Sequence, residues 1–342
     1  MLRLMLLATL SLVLLLLLGM MAAPVLGTSQ EMVAFTRLRS GPGVIMLLDV
    51  ERGLLHDTGQ TTSNPAISWS PDGERLLFLQ SRGGSNGIYH MRHDGRDVVQ
   101  VTGHNVNDHS PAWSPDGTRI AFISNRPGFD VQRIYTVDPD GRDVQELVSQ
   151  GSRDNMLAWS PDGSQLAFVS YRYGQNDVFL TETATGESRN LTARNRYDGW
   201  PQWSPDGTQV AFASSSDDRI FIMNADGTGL RPLTRTEGRD MEEFSPVWSP
   251  DGSHIAFLMG ANRMVALYVI RADGTEQRQL VPHLNGFNPV SQPVWSADGT
   301  RLIFAATQNG VGDLYSAELN TGRLRQLTAT PETEAVPRWR PG

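Results

Sequence analysis

A five-residue segment, Trp-Ser-Pro-Asp-Gly, constrains the fold of this chain more than any other feature of its sequence. It occurs intact five times and once with Ala297 in place of proline, and a seventh copy reads Trp-Arg-Pro-Gly. The tryptophans, 44, 46, 44, 45, 47 and 44 residues apart, are Trp69, Trp113, Trp159, Trp203, Trp248, Trp295 and Trp339. A repeat of about 45 residues, rich in short strands and glycine-containing turns, is typical of a β-propeller.

The chemistry of the segment agrees with this interpretation. Ser-Pro-Asp-Gly fits a type I turn, because proline presets φ, aspartate bonds back to the backbone and glycine accepts a positive φ. An apolar strand follows the turn, as in Ile120-Ala121-Phe122. The tryptophan before the turn is large enough to fill the wedge between neighbouring sheets, where repeats without individual cores bury their surface.

A second marker recurs in step with the tryptophans and predicts the number of blades. It is an apolar triplet that ends in Phe35, Phe78, Phe122, Phe168, Phe212, Phe257 and Phe304. A strand that often contains tyrosine, an Asp-Gly hairpin turn and a strand ending near Leu-Thr follow in most units. Each unit therefore predicts four strands, and we expect an all-β fold, a single propeller of seven four-stranded blades.

The two ends of the repeat region complement each other. The first predicted strand is a Phe strand and the last is a Trp strand, so we expect one closing blade shared between residues 32–58 and 335–342. Six blades with two unpaired fragments is the alternative. Proline two residues before the tryptophan, as at Pro111 and Pro337, belongs at a sheet edge, which predicts that the Trp strand is innermost.

Residues 1–27 differ from the rest of the chain and predict export. Arg3 precedes an apolar run over residues 4–21, and small residues follow. The run is near the roughly 20 residues that span a bilayer, so a cleaved signal peptide and a retained membrane anchor both remain open. Residues 28–31 would be a short linker and residues 32–342 the propeller. Either way we expect a periplasmic or extracellular propeller, tethered to the inner membrane by residues 4–26 if the segment is retained.

Composition narrows the classes of partner and cofactor. The formal net charge is −8, and the sequence has no basic stripe of the kind that binds nucleic acid. The absence of cysteine excludes a disulfide scaffold, a cysteine zinc site and a lipid anchor on cysteine. We expect a monomer, because a closed propeller has no exposed sheet edge to recruit a second copy.

The candidate site is a ring of acids five residues before the tryptophans. Five of the seven positions are acidic: Asp108, Asp154, Asp198, Glu243 and Glu334. They precede the innermost strands on the long-loop face, the face that holds the loops after the Phe strands and the loops between blades, where binding residues concentrate. One interpretation is a cation-selective channel mouth that binds a divalent metal or a basic peptide. The other is structural, with each carboxylate capping its loop or pairing with Arg39, Arg82, Arg126 or Arg172.

Evidence for catalysis is weaker. Residues 83–87 match a hydrolase nucleophile string but lie in a predicted hairpin, whereas a nucleophile elbow needs a strand, a turn and a helix. The histidines show no close metal-ligand spacing; His104, Asp108 and His109 make the only local cluster, and we interpret these three as a hydrogen-bonded loop. We therefore expect no catalytic activity and no cofactor. The alternative is a lyase or hydrolase with a metal at the channel mouth, using Asp108, Asp154 and Asp198 as ligands or bases.

The repeat resembles a known family. The pattern Pro-x-Trp-Ser-Pro-Asp-Gly-x-x-Ile-Ala-Phe, followed by Ile-Tyr-x-x-Asp-x-Asp-Gly and Leu-Thr, is similar to the propeller repeats of TolB-type proteins over residues 32–342. Related repeats occur in prolyl-oligopeptidase-like peptidases. TolB is periplasmic and its six-bladed propeller binds a peptidoglycan-associated lipoprotein, whereas for this chain we expect seven units and no preceding α/β domain.

The resemblance implies a non-catalytic exported propeller that binds a protein or peptide partner in the cell envelope. A structural envelope protein is a third hypothesis. Carboxylates neutralised by arginines, with Trp200, Phe244 and Phe287 at the rim, would favour protein binding, because interface centres are rich in aromatic residues.

Overall fold

The computed structural model describes residues 31–104, 106–126, 132–149, 153–194, 196–235, 241–261, 264–281, 287–289, 291–308 and 310–341. Side chains are not described at 261 and 287–289, so the rim position expected for Phe287 lies outside the described residues. The predicted export segment lies outside them too. The described part is built from strands and turns and contains no helix that is long and apolar enough to cross a membrane.

The chain starts in the blade that will close the ring and then forms two complete blades. The first three strands are β1 (Met32–Leu38), β2 (Gly43–Asp49) and β3 (Leu54–Thr62). Blade 1 consists of β4 (Ser68–Trp69), β5 (Arg75–Arg82), β6 (Ser85–Arg92) and β7 (Val99–Gln100). Blade 2 consists of β8 (Asp108–Trp113), β9 (Ile120–Ser124), β10 (Arg133–Val137) and β11 (Gln145–Val148).

Blades 3 to 5 repeat the same antiparallel order. Blade 3 consists of β12 (Asn155–Trp159), β13 (Gln165–Ser170), β14 (Asp177–Glu182) and β15 (Ser188–Asn190). Blade 4 consists of β16 (Asp198–Trp203), β17 (Gln209–Ser214), β18 (Arg219–Asn224) and β19 (Arg231–Pro232). Blade 5 consists of β20 (Glu242–Trp248), β21 (His254–Ala261), β22 (Met264–Arg271) and β23 (Arg278–Val281).

Blade 6 and the last strand complete the ring. In blade 6 the innermost position is divided between two short strands, and its members are β24 (Phe287–Pro289), β25 (Val294–Trp295), β26 (Arg301–Gln308), β27 (Val311–Glu318) and β28 (Leu324–Gln326). The final strand β29 (Thr333–Trp339) pairs antiparallel with β1, with Trp339 opposite Val33. The closing blade thus extends slightly beyond the predicted ranges. The structure confirms seven blades, and the alternative of six blades with two unpaired fragments is wrong.

The Trp strands form the inner wall, as the proline positions predict. Each contacts the Trp strand of the next blade around the whole ring, in the order β4, β8, β12, β16, β20, β25, β29 and back to β4. Most of these strands carry a β-bulge three residues before the tryptophan, where residues such as Ser110, Trp200 and Val336 have a positive φ. The bulge bends the strand before the tryptophan.

The core is divided among the blades. Seven clusters of buried apolar side chains each lie between two adjacent blades. Trp69, for example, packs with Phe78 of its own blade and with Ala34 and Leu47 of the closing blade. All seven phenylalanines of the repeat are fully buried. Stability therefore depends on contacts between neighbours, as in other repeat proteins.

Candidate functional site

The five acidic residues of the predicted ring are buried. Their relative exposures lie between 0 and 2%: Asp108, Asp154, Asp198, Glu243 and Glu334. Asp108 and Asp198 begin innermost strands, and Glu334 lies in the strand that closes the ring. Their carboxylates therefore lie inside the fold instead of forming an open charged rim.

Arginines neutralise most of these carboxylates. Nη2 of Arg37 donates to Oε1 of Glu334 at 2.7 Å, and Nη2 of Arg194 donates to Oδ1 of Asp198 at 2.8 Å. The contacts are longer elsewhere. The Nη2 atoms of Arg172 and Arg126 lie 3.7 Å and 4.0 Å from the Oδ2 atoms of Asp154 and Asp108.

The prediction from sequence identified two of these four arginines. Arg126 and Arg172 pair with the acids as expected. Arg39 instead lies 4.0 Å from Glu332, and Arg82 makes no ion pair within the described ranges. Two arginines that the sequence analysis did not identify, Arg37 and Arg194, pair with Glu334 and Asp198. They lie at other positions of the repeat than Arg126 and Arg172.

Each arginine also stacks on aromatic rings of its blade. The guanidinium of Arg126 lies 5.4 Å and 5.1 Å from the ring centroids of Phe122 and Tyr135. Arg194 lies 4.4 Å from the ring of Phe221, although it comes from the loop between blades 3 and 4. Such contacts favour a cation even where water is excluded. The unit formed by a carboxylate, an arginine and an aromatic pair is thus a structural element of this end of the blade.

Glu243 is held by hydrogen bonds from blade 4 to one of its two carboxylate oxygens. Its Oε2 accepts the backbone N–H of Ile220 at 3.0 Å and the hydroxyl of Thr234. Thr234 Oγ1 in turn accepts the same backbone N–H at 3.1 Å. The carboxylate therefore links the innermost strand of blade 5 to blade 4.

The threonine that ends the Leu-Thr segment (Val-Thr at Thr102) has a structural role that the sequence analysis did not predict. Its Oγ1 accepts the backbone N–H of the residue 14 positions earlier in four units: Thr102 from Ile88, Thr192 from Val178, Thr234 from Ile220, and Thr328 from Leu314. The signal that could have identified it is the regular distance of six residues from Thr102, Thr192 and Thr328 to the acid of the next blade.

Electrostatics distinguish these acids from ordinary surface carboxylates. Burial raises the pKa of Asp108, Asp198, Glu243 and Glu334 above their usual values, although hydrogen bonds and arginines act in the opposite direction. A buried charge is costly unless it is paired. The geometry favours the structural interpretation, and binding of a cation or a partner at these five residues stays a prediction.

The repeated tryptophans form a ring around the channel, and five of the seven are hydrogen-bonded to the preceding blade. In these five, the indole N–H donates to the carbonyl oxygen of the residue before the tryptophan in the preceding blade, whereas the indole N–H groups of Trp113 and Trp339 have no hydrogen-bond partner in the described structure. Distances are 3.0 to 3.2 Å for Trp69, Trp159, Trp203, Trp248 and Trp295. Trp69 donates to Arg338, so the ring also crosses the junction between the two ends of the propeller. The tryptophans thus bond the blades as well as filling the wedges between them.

A cavity of about 400 Å³ lies on the channel side of this ring. Its wall includes Trp69, Trp113, Trp159, Gln202, Gln292 and Arg338. A second cavity, of about 350 Å³, lies toward the turn face, which carries the Ser-Pro-Asp-Gly turns, and shares Gln202 and Arg338 with the first. Arg338 therefore lies at the level where the two parts of the channel meet.

Three aromatic and sulfur-containing residues are in contact on the long-loop face, and two exposed tyrosines lie in adjacent loops. The backbone N–H of Trp200 donates to the sulfur of Met156 at 3.3 Å, and the rings of Trp200 and Phe244 are 6.4 Å apart. Tyr173 and Tyr197 are 68% and 50% exposed in the adjacent loops. We name these five residues the aromatic rim.

The histidines of the described ranges do not converge on the acids. His104 bonds Tyr89 Oη through Nε2 at 2.8 Å and contacts Ser85 through Nδ1, whereas His109 contacts Ser110. In the part of the chain that the structure describes, no three histidine, aspartate or glutamate side chains form a group able to hold a metal ion. Residues 83 and 84 form the turn of a hairpin between β5 and β6, as predicted.

These features define a seven-bladed propeller. Hydrogen bonds from tryptophan side chains and contacts of buried acidic residues link its innermost strands to other strands. The family model described as TolB beta propeller domain matches residues 18–157, 130–244 and 240–342. The chain therefore belongs to the TolB beta propeller domain family. No match to it was found among curated proteins.

Solved structures with the same fold have different activities in their descriptions. A putative TolB from Agrobacterium tumefaciens is 23% identical, with a TM-score of 0.57, and the match covers 76% of this chain and 96% of that one. An oligogalacturonate lyase in complex with manganese is 18% identical, with a TM-score of 0.64 and coverages of 86% and 84%. A puromycin hydrolase is 16% identical, with a TM-score of 0.72 and coverages of 90% and 53%. At these identities the likeness shows the fold alone.

Proposed function

We propose that this protein is a non-catalytic exported propeller that binds a protein or peptide partner in the cell envelope through its long-loop face. The observation that carries the proposal is the aromatic rim. Tyrosine, tryptophan, phenylalanine and methionine are the residues that protein interfaces use most to anchor a partner. Here they are concentrated on one face of blades 3 to 5.

The buried acids support the proposal that a partner binds at the aromatic rim. Asp154 and Asp198 are held against Arg172 and Arg194, so they stabilise the loops that carry Tyr173 and Tyr197. A rim on fixed loops loses little conformational entropy when a partner binds. The enzyme alternative would need Asp108, Asp154 and Asp198 to reach a substrate or metal, and their burial gives it no specific support.

The proposed location is outside the cytoplasm. The N-terminal sequence has the features of an export segment, and the resemblance to TolB-type proteins points to the periplasm. If residues 4–26 are retained, they would tether the propeller to the inner membrane, and the partner would then be another component of the envelope.

A capture experiment with the full chain tests the proposal. Tagged protein is used as bait in a solubilised envelope extract, and captured proteins are identified and then purified for direct binding measurements. The test variant carries Tyr173→Ala and Tyr197→Ala, which remove two exposed rings. Because Tyr173 stacks on the buried ring of Phe179 at 6.0 Å, the fold of the variant is checked by thermal unfolding. We expect the variant to bind the purified partner at least about tenfold more weakly, because truncating one interface anchor typically costs more than 1 kcal/mol.

A matched control separates the rim from general surface hydrophobicity. Leu54 and Leu55 are 42% and 41% exposed and lie on the outermost strand of the closing blade. The variant Leu54→Ala with Leu55→Ala should bind as the unchanged protein does. Equal weakening in both variants, or no weakening in the tyrosine variant, would reject the aromatic rim as the binding surface.

A further inference from the structure

The central channel contains the positive charge of Arg338, which no carboxylate of the described residues neutralises. Arg338 lies in the layer formed by the residues immediately before the tryptophans. The members of this layer that line the two cavities are Ser68, Ala112, Gln202, Val247, Val294 and Arg338. Arg338 is the only charged residue among them.

The hydrogen bonding of Arg338 leaves most of its donors unused. The one side-chain hydrogen bond within the described part of the chain is from Nη1 to the carbonyl oxygen of Pro337, at 3.0 Å. No carboxylate in that part lies within 4.0 Å of its guanidinium. Burial lowers the pKa of Arg338 to about 10, so the group is still protonated at neutral pH.

Other arginines near the two ends of the propeller behave differently. Arg37 pairs with Glu334 at 2.7 Å, and Arg340, two residues after Arg338, pairs with Glu74 at 2.7 Å. Arg338 is half-buried, so its guanidinium is partly removed from water without a carboxylate of the described residues to compensate it. A bound anion would supply the missing charge.

We propose that the central channel is a binding site for a carboxylate group, with Arg338 as its primary ligand. A guanidinium presents paired N–H groups that match the two oxygens of a carboxylate. The amides of Gln202 and Gln292 line the same cavity and make no side-chain hydrogen bond within the described residues. Either amide can donate to a carboxylate oxygen or bond the group next to it.

The surroundings favour a small, singly charged head group. Trp69, Trp113 and Trp159 provide flat apolar walls, and the cavity volume of about 400 Å³ has room for a carboxylate that carries a short apolar or peptide chain. One guanidinium in a protein with a formal net charge of −8 offers little compensation for an anion with several charges, such as a polyphosphate. Asn64 and Ser110 line the same cavity at the long-loop end of their strands, so the ligand would enter from that face.

The wall next to Arg338 contains two further donors without partners. Trp113 is the neighbour of Trp69 in the ring, yet its indole N–H has no hydrogen-bond partner in the described structure, and neither does the hydroxyl of Ser68. Both residues line the cavity. A bound ligand could recruit either donor by a small rotation of the side chain.

This inference goes beyond the proposed function, because it assigns a ligand chemistry to the channel whether or not a protein docks on the aromatic rim. A carboxylate could come from a free organic acid or from the C-terminus of a peptide. The probes are therefore butyrate, N-acetyl-Gly-Gly-Ala with a free C-terminus, and the same peptide as its C-terminal amide. Binding to the full chain is measured by calorimetry and by tryptophan fluorescence, since three indoles line the cavity.

We expect at least one carboxylate probe to bind and the amide to bind at least about tenfold more weakly, a difference of about 1.4 kcal/mol. Arg338→Met, which keeps the length of the side chain and removes its charge, should lose binding by a similar factor. Arg338→Lys should retain part of it, because the charge remains but the paired donors do not. Arg325→Met, at an exposed arginine on β28, is the charge-matched control and should leave binding unchanged.

Each outcome decides the proposal. Binding of butyrate alone supports a free-acid ligand, and binding of the peptide acid alone supports a C-terminal ligand. Equal affinity for the peptide acid and its amide would overturn the proposal. So would unchanged binding in Arg338→Met, or the absence of binding by both carboxylate probes at millimolar concentration. Because Arg338→Lys keeps a charged chain of similar length, it remains informative even if Arg338→Met unfolds.

Discussion

The repeat unit carries two kinds of carboxylate at opposite ends of its innermost strand, and they differ in almost every physical respect. At the turn face, the aspartates of the Ser-Pro-Asp-Gly turns are exposed: Asp72, Asp116, Asp162, Asp206, Asp251 and Asp298. At the long-loop face, the acids five residues before the tryptophan are buried and face arginines or hydroxyl groups.

The turn aspartates are stabilised by their immediate neighbours. Asp116 accepts the hydroxyl of Ser114 at 2.6 Å and the backbone N–H of Thr118 at 3.0 Å. The backbone N–H of Gly117 donates to Ser114 O at 2.9 Å, and Gly117 has a φ of 71°. Hydrogen bonds to the serine hydroxyl and to the backbone lower the pKa of Asp116. Every partner lies within two residues of the aspartate.

The buried acids are stabilised by distant residues. Glu334 pairs with Arg37 across the junction of the two ends, and Glu243 bonds Ile220 and Thr234 of the preceding blade. The turn carboxylates therefore fix local geometry, while the buried carboxylates join strands that are remote in sequence. The difference predicts unequal effects of substitution at the two ends of the strand.

The largest effect is expected where a buried pair holds the closing blade together. Glu334→Ala leaves the buried guanidinium of Arg37 without its carboxylate, and we expect the free energy of unfolding to fall by about 3 to 5 kcal/mol. Urea denaturation followed by tryptophan fluorescence measures this loss. The neighbouring change Glu332→Ala is the matched control, because its contact with Arg39 is long and exposed and should be worth less than about 1 kcal/mol.

A double variant shows whether charge is responsible. Replacing both partners, Arg37→Met with Glu334→Met, removes the pair but leaves no unpaired charge, so most of the lost stability should return. If the double variant is as unstable as Glu334→Ala, packing at this junction matters more than the ion pair, and the contrast between the two kinds of carboxylate would lose its electrostatic basis.

The sequence predicted the turn end of the blade much better than the other end. Seven blades, the closure through β1 and β29, the innermost Trp strand and the glycine turns all follow from periodicity or from partners within a few residues. The acidic positions were also visible in the sequence. Their burial was not, because the residues that surround them come from other strands and other blades.

Two arginines illustrate the limit. Arg194 and Arg126 occupy equivalent places over aromatic pairs, yet one precedes its Trp strand and the other follows a Phe strand, so no single spacing identifies both. Arg338 lies beside the tryptophan of the last repeat, at a position where other repeats have serine, alanine, glutamine or valine. Only the closed ring reveals that this position faces the channel.

A smaller effect is expected at the turn face. Asp251 accepts hydrogen bonds from the hydroxyl of Ser249 at 2.6 Å and from the backbone N–H and the hydroxyl of Ser253. These bonds, above all the one from Ser249, lower the pKa of Asp251 to about 2. Asp251→Asn keeps one acceptor oxygen but loses the charge, and we expect a loss of about 1 kcal/mol after solvent screening. Denaturation in urea measures it. The control Glu276→Gln, at an exposed side chain with one 4.0 Å contact, should leave the free energy of unfolding unchanged. If Asp251→Asn lost as much stability as Glu334→Ala, the contrast between the two kinds of carboxylate would be contradicted.

The smallest effect concerns pH, and its sign differs between the two ends of the strand. Because the pKa of Asp251 is lowered, the unfolded chain binds its proton more readily, so the stability from Asp251 is present above about pH 4 and is lost as the pH falls toward 2. Burial raises the pKa of Asp198 above 3.8, so the folded chain binds that proton more readily, and lowering the pH through the raised pKa relieves a cost of folding.

Unfolding free energies of the unchanged protein, Asp251→Asn and Asp198→Asn between about pH 7 and pH 3 measure both signs. The advantage of the unchanged protein over Asp251→Asn should shrink on acidification, whereas its stability relative to Asp198→Asn should rise, each by about 1 kcal/mol or less. A trend of the same sign for both variants would mean that the ion pair with Arg194 outweighs burial at Asp198. The buried acids would then stabilise the fold as charged groups, as the turn aspartates do. The free-energy cost of burying a charge would then not explain why an arginine or a threonine holds each of them.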